Sequence, residues 1–330
     1  MKRPYVFITR KLPEEIIAPM KEIAEIAMWP HDDVPVPRDV LMDEAKKADA
    51  LLTMVADMVD EAILDAGKRL KVVANMGVGF DNIDVRAATK RGIAVCNTPD
   101  VLTDTTADLT FALLLATARR MVEAAQFIKD GKWKSWSPFL LAGVDVHHKT
   151  IGIVGMGNIG KAVAKRAFGF DMNVLYHNRS RNIEAEKQLG ATYCSFEELL
   201  ERADFVVCLT PLTNETRHMF NKEAFRKMKR SAIFINASRG AVVDEQALYE
   251  ALVSREIAGA GLDVFEQEPI DASHPLLALP NVVALPHIGS ATKETRTKMM
   301  ELCCRNIIAI LTGNQPETLV NKEWSLRSFT

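Results

Sequence analysis

Short apolar segments rich in β-branched residues alternate with amphipathic segments through the first hundred residues of the chain. Apolar segments of this length predict buried strands, and residues that recur at helical spacing predict helices. The predicted strands lie at 5–9, 24–28, 50–54, 70–75 and 93–96. The predicted helices lie at 13–20, 38–47 and 60–66. This alternation of strand and helix predicts a small parallel α/β domain.

The same alternation returns after a long, largely apolar helix that the pattern predicts at 103–120. Six strands are predicted at 151–154, 174–176, 205–209, 232–236, 260–263 and 282–285. Helices are predicted between them, at 159–168, 182–189, 196–202, 222–228 and 246–254. A final helix is predicted within 290–312. Six strands with intervening helices predict a second, doubly wound parallel sheet.

The segment TIGIVGMGNIGK carries the first chemical signal. Its glycines Gly155, Gly157 and Gly160 have G-x-G-x-x-G spacing between a predicted strand and a predicted helix. This arrangement permits a tight turn, close approach of the backbone to a pyrophosphate, and close packing of helix on strand. The first helical turn, with Asn158 and Ile159, would offer N–H groups to the phosphates. The spacing alone is a weak signal, but its context favours a dinucleotide-binding loop over a plain strand–turn–helix.

Composition narrows the class of protein. The chain of 330 residues has a net charge of −2, so no basic surplus indicates nucleic-acid binding. None of its five cysteines stands in C-x-x-C spacing, so we expect neither a metal site nor a disulfide framework. No stretch approaches the roughly 18 to 20 apolar residues of a membrane span, and the apolar run near residue 5 is too short for a secretion signal. We expect a soluble cytoplasmic protein.

The predicted second strand of the larger sheet ends in NVLYHNRSRN, where an NAD-specific fold places Asp or Glu against the ribose 2′-hydroxyl. Asn178, Arg179, Ser180 and Arg181 occupy that turn, and no carboxylate follows until Glu184. Because guanidinium binds phosphate through paired hydrogen bonds, the turn favours a 2′-phosphate. The alternative is that both arginines are simply solvated on a surface turn. We expect NADP(H) to be preferred, with NAD(H) as the alternative cofactor.

Three late segments place polar side chains just past predicted strands, where open α/β sheets bind ligands. These side chains are Arg239, Glu268 and His287. The planar guanidinium of Arg matches the carboxylate of a 2-oxo acid. His can supply a proton to the carbonyl oxygen, which gains negative charge during hydride transfer. A carboxylate beside His favours the imidazolium form. Singly, each residue has an ordinary structural explanation, as a strand-end cap, a solvated acid or a packed turn residue. Together they predict a carbonyl-reducing site.

Several motifs extend through most of the chain in a recognisable order: NMGVGFDNID, TADLTFALLL, the glycine loop, FINASRGAVVDEQAL, GLDVFEQEP and LPHIGSAT. The sequence thereby resembles the D-isomer-specific 2-hydroxyacid dehydrogenase family, and the last three motifs together are highly specific. Within that family, GKWKSWSP and YHNRS look most like NADPH-dependent glyoxylate/hydroxypyruvate reductases and 2-ketogluconate reductases.

The resemblance implies roles for individual residues. Arg239 would anchor the substrate carboxylate and carbonyl, and His287, with Glu268 as its partner, would be the acid/base. Backbone N–H groups of Val78 and Gly79 would also bind the carboxylate. Trp136 matches a tryptophan that reaches the partner's active site in such reductases. Beyond the glycine loop, the Asn178–Arg181 turn and His287, the cofactor would contact Thr106, Thr210, Pro211, Ala237, Ser238, Asp263 and Gly289.

The resemblance also divides the chain. A flavodoxin-like substrate-binding domain would comprise residues 1–98 and 291–330, with a Rossmann NAD(P)-binding domain inserted as residues 99–290. Family members are usually homodimers, so we expect one here, with no nucleic-acid or membrane partner.

These features predict an NADPH-preferring reductase that converts small 2-oxo acids such as glyoxylate, hydroxypyruvate or 2-ketogluconate into D-2-hydroxy acids. One alternative is an NAD-dependent 3-phosphoglycerate-type dehydrogenase, which the Arg179 turn disfavours. Another is a dinucleotide-sensing corepressor-like binding protein, which would not need the complete set of Arg239, Glu268 and His287.

Overall fold

A computed structural model describes residues 3–324 of the chain, which form two compact units. The first unit contains the residues up to Leu102 together with those from Thr292 onward, and the second is Thr103–Ala291. The sequence placed these divisions at 98/99 and 290/291. Residues 325–330, which were assigned to the predicted substrate-binding domain, lie outside the described part of the chain. The roles of the two units as substrate and cofactor domains stay predictions.

The first unit is built on a sheet of five parallel strands. The strands are β1 (Tyr5–Ile8), β2 (Glu25–Met28), β3 (Ala50–Met54), β4 (Val72–Met76) and β5 (Ala94–Cys96). Their order across the sheet is β2-β1-β3-β4-β5. This is the flavodoxin-like order, so the predicted fold of this unit is confirmed.

Five helices accompany this sheet. They are α1 (Glu14–Ile23), α2 (Arg38–Ala45), α3 (Glu61–Ala66), α4 (Val85–Lys90) and the C-terminal helix (Lys293–Leu311). The sequence did not predict α4, although Asp84 supplies an N-cap signal and accepts a hydrogen bond from the Ala87 N–H at 2.8 Å. The helix has only six residues, too few to show a helical period.

The second unit is built on a sheet of seven parallel strands rather than the predicted six. The strands are β6 (Thr150–Val154), β7 (Asn173–His177), β8 (Thr192–Tyr193), β9 (Phe205–Cys208), β10 (Ile233–Asn236), β11 (Gly259–Leu262) and β12 (Val282–Ala284). The missed strand is β8, whose two residues are too short to give a pattern. The order β8-β7-β6-β9-β10-β11-β12 is the Rossmann order with one added edge strand, so the predicted fold class is confirmed.

Seven α-helices belong to the second unit. They are α5 (Thr103–Ala118), α6 (Met121–Lys129), α7 (Asn158–Phe168), α8 (Ile183–Leu189), α9 (Phe196–Arg202), α10 (Lys222–Lys227) and α11 (Glu245–Val253). In chain order the C-terminal helix of the first unit is therefore α12. The sequence predicted no helix at α6, which begins directly after Arg120, where the backbone adopts a left-handed φ of 52°. None of the residues of α6 is buried, so its pattern lacks the apolar face that identifies a packed helix.

Apolar side chains fill the space between each sheet and its helices. In the second unit one cluster includes Phe220, Phe225 and Phe234, and another on the opposite side of the sheet includes Ile151, Ile153 and Tyr176. These strands are apolar on both faces because helices cover both sides, as parallel sheets require. Among residues 3–324 no helix is both long and apolar enough to cross a membrane.

Candidate active site

The predicted site residues of the second unit lie where parallel strands of its sheet end. The glycine loop follows β6, the Asn178 turn follows β7, and Thr210 and Pro211 follow β9. The segments that follow β10, β11 and β12 carry the remaining residues, which are Ala237, Ser238, Arg239, Asp263, Glu268, His287 and Gly289. β6 and β9 are neighbours in the sheet, and the strand that follows each of them lies on the opposite side: β7 beyond β6, and β10 beyond β9. The glycine loop after β6 therefore lies at the topological switch point, where such sheets bind ligands.

The glycine loop has the geometry that a dinucleotide requires. Gly155 adopts a φ of 108°, and a Cβ there would lie 2.6 Å from the Leu209 carbonyl carbon. A Cβ on Gly160 would lie 2.3 Å from the Gly155 oxygen, so loop and helix are in direct contact. A Cβ on Gly157, in contrast, would meet no protein atom within 4 Å. Gly155 and Gly160 are thus required because neighbouring protein atoms leave no room for a side chain. Gly157 instead leaves open space before the N-terminus of α7, and a pyrophosphate fits such a space.

Two asparagines of the segment that follows β7 hold the glycine loop in place. The Asn178 side chain accepts a hydrogen bond from the Met156 N–H at 2.7 Å, and Asn182 Nδ2 donates to the Met156 carbonyl at 3.0 Å. Asn182 also caps α8 by accepting from the Ala185 N–H. Asn178 therefore supports the loop as well as lying at the predicted cofactor turn. Sequence reasoning missed Asn182. Its position before a helix predicts a cap, but not a second hydrogen bond to Met156, 26 residues away in the sequence.

Within the predicted phosphate-binding turn the two arginines differ. Arg181 forms paired hydrogen bonds with Glu186 at 3.0 and 2.5 Å. Hydrogen bonds from Arg181 and Tyr176 lower the pKa of Glu186 to about 2, so the partner of Arg181 is ionised at neutral pH. Arg179 and Ser180 are exposed. The guanidinium of Arg181 is already engaged with a carboxylate, which leaves Arg179 as the better candidate for a phosphate.

Asn236 shapes the turn that presents Arg239. Its Oδ1 accepts from the N–H and the hydroxyl of Ser238 at 3.1 and 2.9 Å, and its Nδ2 donates to the Arg239 carbonyl at 3.0 Å. The side chain is 1 % exposed, so these bonds are sheltered from water. Sequence reasoning missed Asn236, although a buried amide at a strand end is a recognisable turn-forming residue.

Gly240 brings the Arg239 turn against the segment that carries Glu268. A Cβ on Gly240 would lie 1.8 Å from the carbonyl carbon of Phe265 and 2.2 Å from the Glu266 nitrogen. Both neighbours are backbone atoms and cannot rotate away. The two segments that supply Arg239 and Glu268 are therefore in backbone contact.

Gly240→Ala is expected to lower the free energy of unfolding by about 3 kcal/mol, because the new methyl group must push two backbone segments apart. The same displacement should lower activity, since it moves Arg239 relative to Glu268. Thermal or urea unfolding measures the first effect. Gly169→Ala is the matched control: Gly169 has a helical conformation and its Cβ would come no closer than 3.4 Å to a neighbour, so that variant should be neutral. Equal stability of the two variants would contradict the close contact.

Glu268 and His287 form a hydrogen-bonded pair. Glu268 Oε2 lies 2.7 Å from His287 Nδ1, and Glu268 Oε1 accepts from the Phe265 N–H at 3.0 Å. Burial alone would raise the pKa of Glu268, but the hydrogen bond and charge of His287, with a smaller contribution from Arg239, lower that pKa below its usual value. The structure thus brings the three predicted catalytic residues into one electrostatic environment. Because Nδ1 faces Glu268, Nε2 is the ring nitrogen that remains for proton transfer.

Asp263 holds the backbone that carries His287. Its two carboxylate oxygens accept from the N–H groups of Ile288 and Gly289, each at 2.8 Å, and its own carbonyl accepts from the His287 N–H at 2.8 Å. His287 itself has a φ of 52°, a strained conformation that needs such support. Burial raises the pKa of Asp263 despite these bonds. The resemblance assigned Asp263 to the cofactor, and its contact with the His287 backbone was missed.

Thr106 and Gly289 lie beside Asp263. A Cβ on Gly289 would be 3.2 Å from Asp263 Oδ2 and 3.3 Å from Thr106 Cγ2. Three residues that the sequence assigned to the cofactor are therefore adjacent in the second unit.

Three predicted substrate contacts stay predictions. Val78 and Gly79 belong to the first unit, in the turn after β4, where Gly77 packs so closely on Val55 that a Cβ would lie 2.4 Å from its Cγ1. Trp136 lies in the segment after α6 and is 78 % exposed in the single chain.

Comparison with known proteins agrees with this geometry. A family model described as "D-isomer specific 2-hydroxyacid dehydrogenase, NAD binding domain" matches residues 111–289, more than half of the chain. The chain belongs to this family. The resemblance noted in the sequence is thereby confirmed, and the protein is an NAD(P)-dependent oxidoreductase that acts on CH–OH groups and binds a nicotinamide dinucleotide.

Individual proteins match nearly the whole chain. A glyoxylate reductase of Thermococcus kodakarensis is 54 % identical over 325 residues, which cover 97 % of each protein. A crystal structure of a Thermus thermophilus protein has a TM-score of 0.89 at 46 % identity and covers 96 % of this chain and 99 % of its own. An NADPH-dependent glyoxylate/hydroxypyruvate reductase of Sinorhizobium meliloti, solved with NADP and malonate, has a TM-score of 0.83 at 34 % identity and covers 98 % of each chain.

Proposed function

We propose that this dehydrogenase reduces small 2-oxo acids, with glyoxylate and hydroxypyruvate as the first candidates, to 2-hydroxy acids, forms the D-enantiomer where the product is chiral, and prefers NADPH. The observation that carries the proposal is the 2.7 Å contact between Glu268 Oε2 and His287 Nδ1, in an environment that also contains the charge of Arg239. A cation for the carboxylate, a proton donor and a carboxylate that stabilises the protonated donor are what carbonyl reduction of an oxo acid needs.

Each residue has a defined part in this proposal. Arg239, together with the N–H groups of Val78 and Gly79, binds the substrate carboxylate. His287 Nε2 donates a proton to the carbonyl oxygen. Glu268 offers a negative charge beside the ring and holds it in one orientation through Nδ1. When bound, the reduced nicotinamide supplies the hydride that the carbonyl carbon receives.

The substrate class is supported by relatives as well as by the site. Proteins named glyoxylate reductase match 97 % of the chain at 54 % and 51 % identity, in Thermococcus kodakarensis and in Korarchaeum cryptofilum. The Sinorhizobium meliloti structure holds malonate, a small dicarboxylate, together with NADP. Both observations favour a small carboxylate-bearing substrate for this chain too.

A steady-state assay tests the proposal. NADPH and NADH oxidation is followed with glyoxylate, hydroxypyruvate, 2-ketogluconate and 3-phosphohydroxypyruvate as substrates. We expect turnover with glyoxylate or hydroxypyruvate and a higher kcat/KM with NADPH. Preference for the phosphorylated substrate with NADH would instead indicate the 3-phosphoglycerate-type enzyme. Tight cofactor binding without turnover of any oxo acid would indicate a dinucleotide-sensing binding protein and would reject the proposal.

The preference for NADPH depends on Arg179 in this account, since Arg181 is bound to Glu186. Arg179→Asp should lower kcat/KM with NADPH by about 100-fold, because a guanidinium–phosphate pair is replaced by repulsion between two anions. kcat/KM with NADH should change by less than about 3-fold. Arg181→Gln is the control and should have the smaller effect on NADPH. Equal losses with both cofactors after Arg179→Asp would contradict the assignment.

We also propose that the protein is a homodimer. Large apolar side chains are exposed on α6 and in the segment after it, among them Met121, Ile128, Trp133, Trp136 and Phe139. A second copy that covers this surface would remove it from water and would bring Trp136 to its partner. Light scattering should give a mass of about 73 kDa, twice the 36.6 kDa of one chain; a mass near 37 kDa would contradict the dimer.

A further inference from the structure

The turn of residues 77–80, called here the Val78 turn, has three consecutive carbonyl groups that accept hydrogen bonds from the rest of the first unit. The Gly77 carbonyl accepts from the Thr98 N–H at 2.9 Å. The Val78 carbonyl accepts from Asn97 Nδ2 at 2.8 Å, and the Gly79 carbonyl accepts from Asn75 Nδ2 at 2.9 Å. Each carbonyl in the turn is thus fixed by a separate donor.

Fixing a carbonyl also fixes the N–H group of the next residue. The peptide bonds of the turn are trans, so within each planar peptide the C=O and the N–H point in opposite directions. The bond from Thr98 therefore orients the Val78 N–H, and the bond from Asn97 orients the Gly79 N–H, each away from the residue that donates the bond. Neither N–H donates to an acceptor within residues 3–324, and both residues are partly exposed. Two oriented backbone donors are left for a ligand.

We propose that Asn97 is a positioning residue for the substrate carboxylate: by holding the Val78 carbonyl it directs the Gly79 N–H at the ligand. This inference rests on the proposed function, in which the N–H groups of Val78 and Gly79 bind that carboxylate. Asn97 acts through the backbone and does not itself touch the substrate. A backbone donor that is oriented in advance binds an anion without the cost of ordering the loop.

Further hydrogen bonds around Asn97 and Asn75 hold the Val78 turn rigid. The Asn97 carbonyl accepts from the Thr318 hydroxyl at 2.7 Å, which ties the end of β5 to the chain after α12. Asn75 accepts from the Thr53 hydroxyl at 3.1 Å and is hydrogen-bonded to Asn82, and all three side chains are buried. A connected and satisfied buried network of this kind restricts the turn to one conformation.

Asn97→Ala is expected to lower kcat/KM for glyoxylate by about 10-fold, a factor that corresponds to about 1.4 kcal/mol, through a higher KM. The Ki of oxalate, a dicarboxylate that is not reduced, should rise by a similar factor. kcat at saturating glyoxylate and the KM for NADPH should stay within about 2-fold of wild type, because the lost bond serves carboxylate binding. Asn97→Asp has the same shape, replaces the donor by an acceptor, and should lose at least as much.

Asn321→Ala is the control for a merely structural effect. Asn321 binds the backbone of Val95 in β5 and of Ile93 just before it, each at 2.9 Å, and has no bond to the Val78 turn, so its loss should lower the melting temperature without raising the KM for glyoxylate. The inference is overturned if both Asn97 variants keep wild-type KM and Ki, or if Asn321→Ala raises KM equally. Should Asn97→Ala not fold, Asn97→Asp decides. A wild-type protein that reduces no oxo acid defeats the proposed function itself, whereas unaffected Asn97 variants of an active enzyme defeat only this inference.

Discussion

His287→Ala is expected to lower kcat for oxo-acid reduction by about 10³- to 10⁴-fold, the loss typical of a general acid. The reason is geometric: Nδ1 of His287 lies 2.7 Å from Glu268, so Nε2 is the ring nitrogen that can reach a carbonyl oxygen. Without it, charge on that oxygen must be neutralised by water. NADPH binding, measured by fluorescence, should change little. The glycine loop is held by the close contacts of Gly155 and Gly160 and by Asn178 and Asn182, none of which involves His287.

Glu268→Gln separates orientation from charge in the same pair. Glutamine can still bind Nδ1 but carries no negative charge to stabilise the positive charge of a protonated ring, so activity should fall, although less than in His287→Ala. In the wild type, the lowered pKa of Glu268 keeps its carboxylate ionised, and the stability that it contributes is lost only as pH falls through that lowered value.

Unchanged activity of His287→Ala would refute the assignment of His287 as the acid.

Arg239→Ala is expected to lower kcat/KM for glyoxylate by about 10³-fold, because two hydrogen bonds between charged groups, each worth about 1.5–3 kcal/mol, are removed. Asn236 and Gly240 hold the Arg239 turn independently of the side chain, so the fold should survive the substitution. Steady-state kinetics and a thermal melt on the same samples measure the two effects.

Arg239→Lys is the matched control for this prediction. Lysine keeps the charge but loses the planar fork that binds a carboxylate through two parallel hydrogen bonds, so it should recover only part of the activity. Full recovery with lysine would mean that charge alone is required. A loss confined to the KM for NADPH would show that Arg239 serves the cofactor rather than the substrate.

The sequence predicts the fold because parallel strands leave a strong pattern. The strands around Val6, Leu51 and Val206 are buried on both faces, and a short run of apolar residues identifies them. The elements that were missed, β8, α4 and α6, are either only two to six residues long or lack a buried face. Their positions depend on neighbouring elements rather than on their own residues.

The catalytic set was predictable for a related reason. Arg239, Glu268 and His287 each follow a strand, and parallel strands of one sheet end at one edge, so topology alone brings them together. Side-chain pairing could not be predicted in this way. The bond of Arg181 to Glu186 is set by the course of the backbone between β7 and α8, and the bond of Asn182 to Met156 joins two loops. Neither hydrogen bond can be predicted from the periodicity or spacing of residues along the sequence.

The proposed reaction is best tested by the identity and chirality of its product. The enzyme is incubated with NADPH and hydroxypyruvate, and the 2,3-dihydroxypropanoate formed is separated by chiral chromatography. We expect one equivalent of the D-acid for each NADPH oxidised, and none of either enantiomer with His287→Ala on the same timescale. Formation of the L-acid, or NADPH oxidation without a 2-hydroxy acid product, would contradict it.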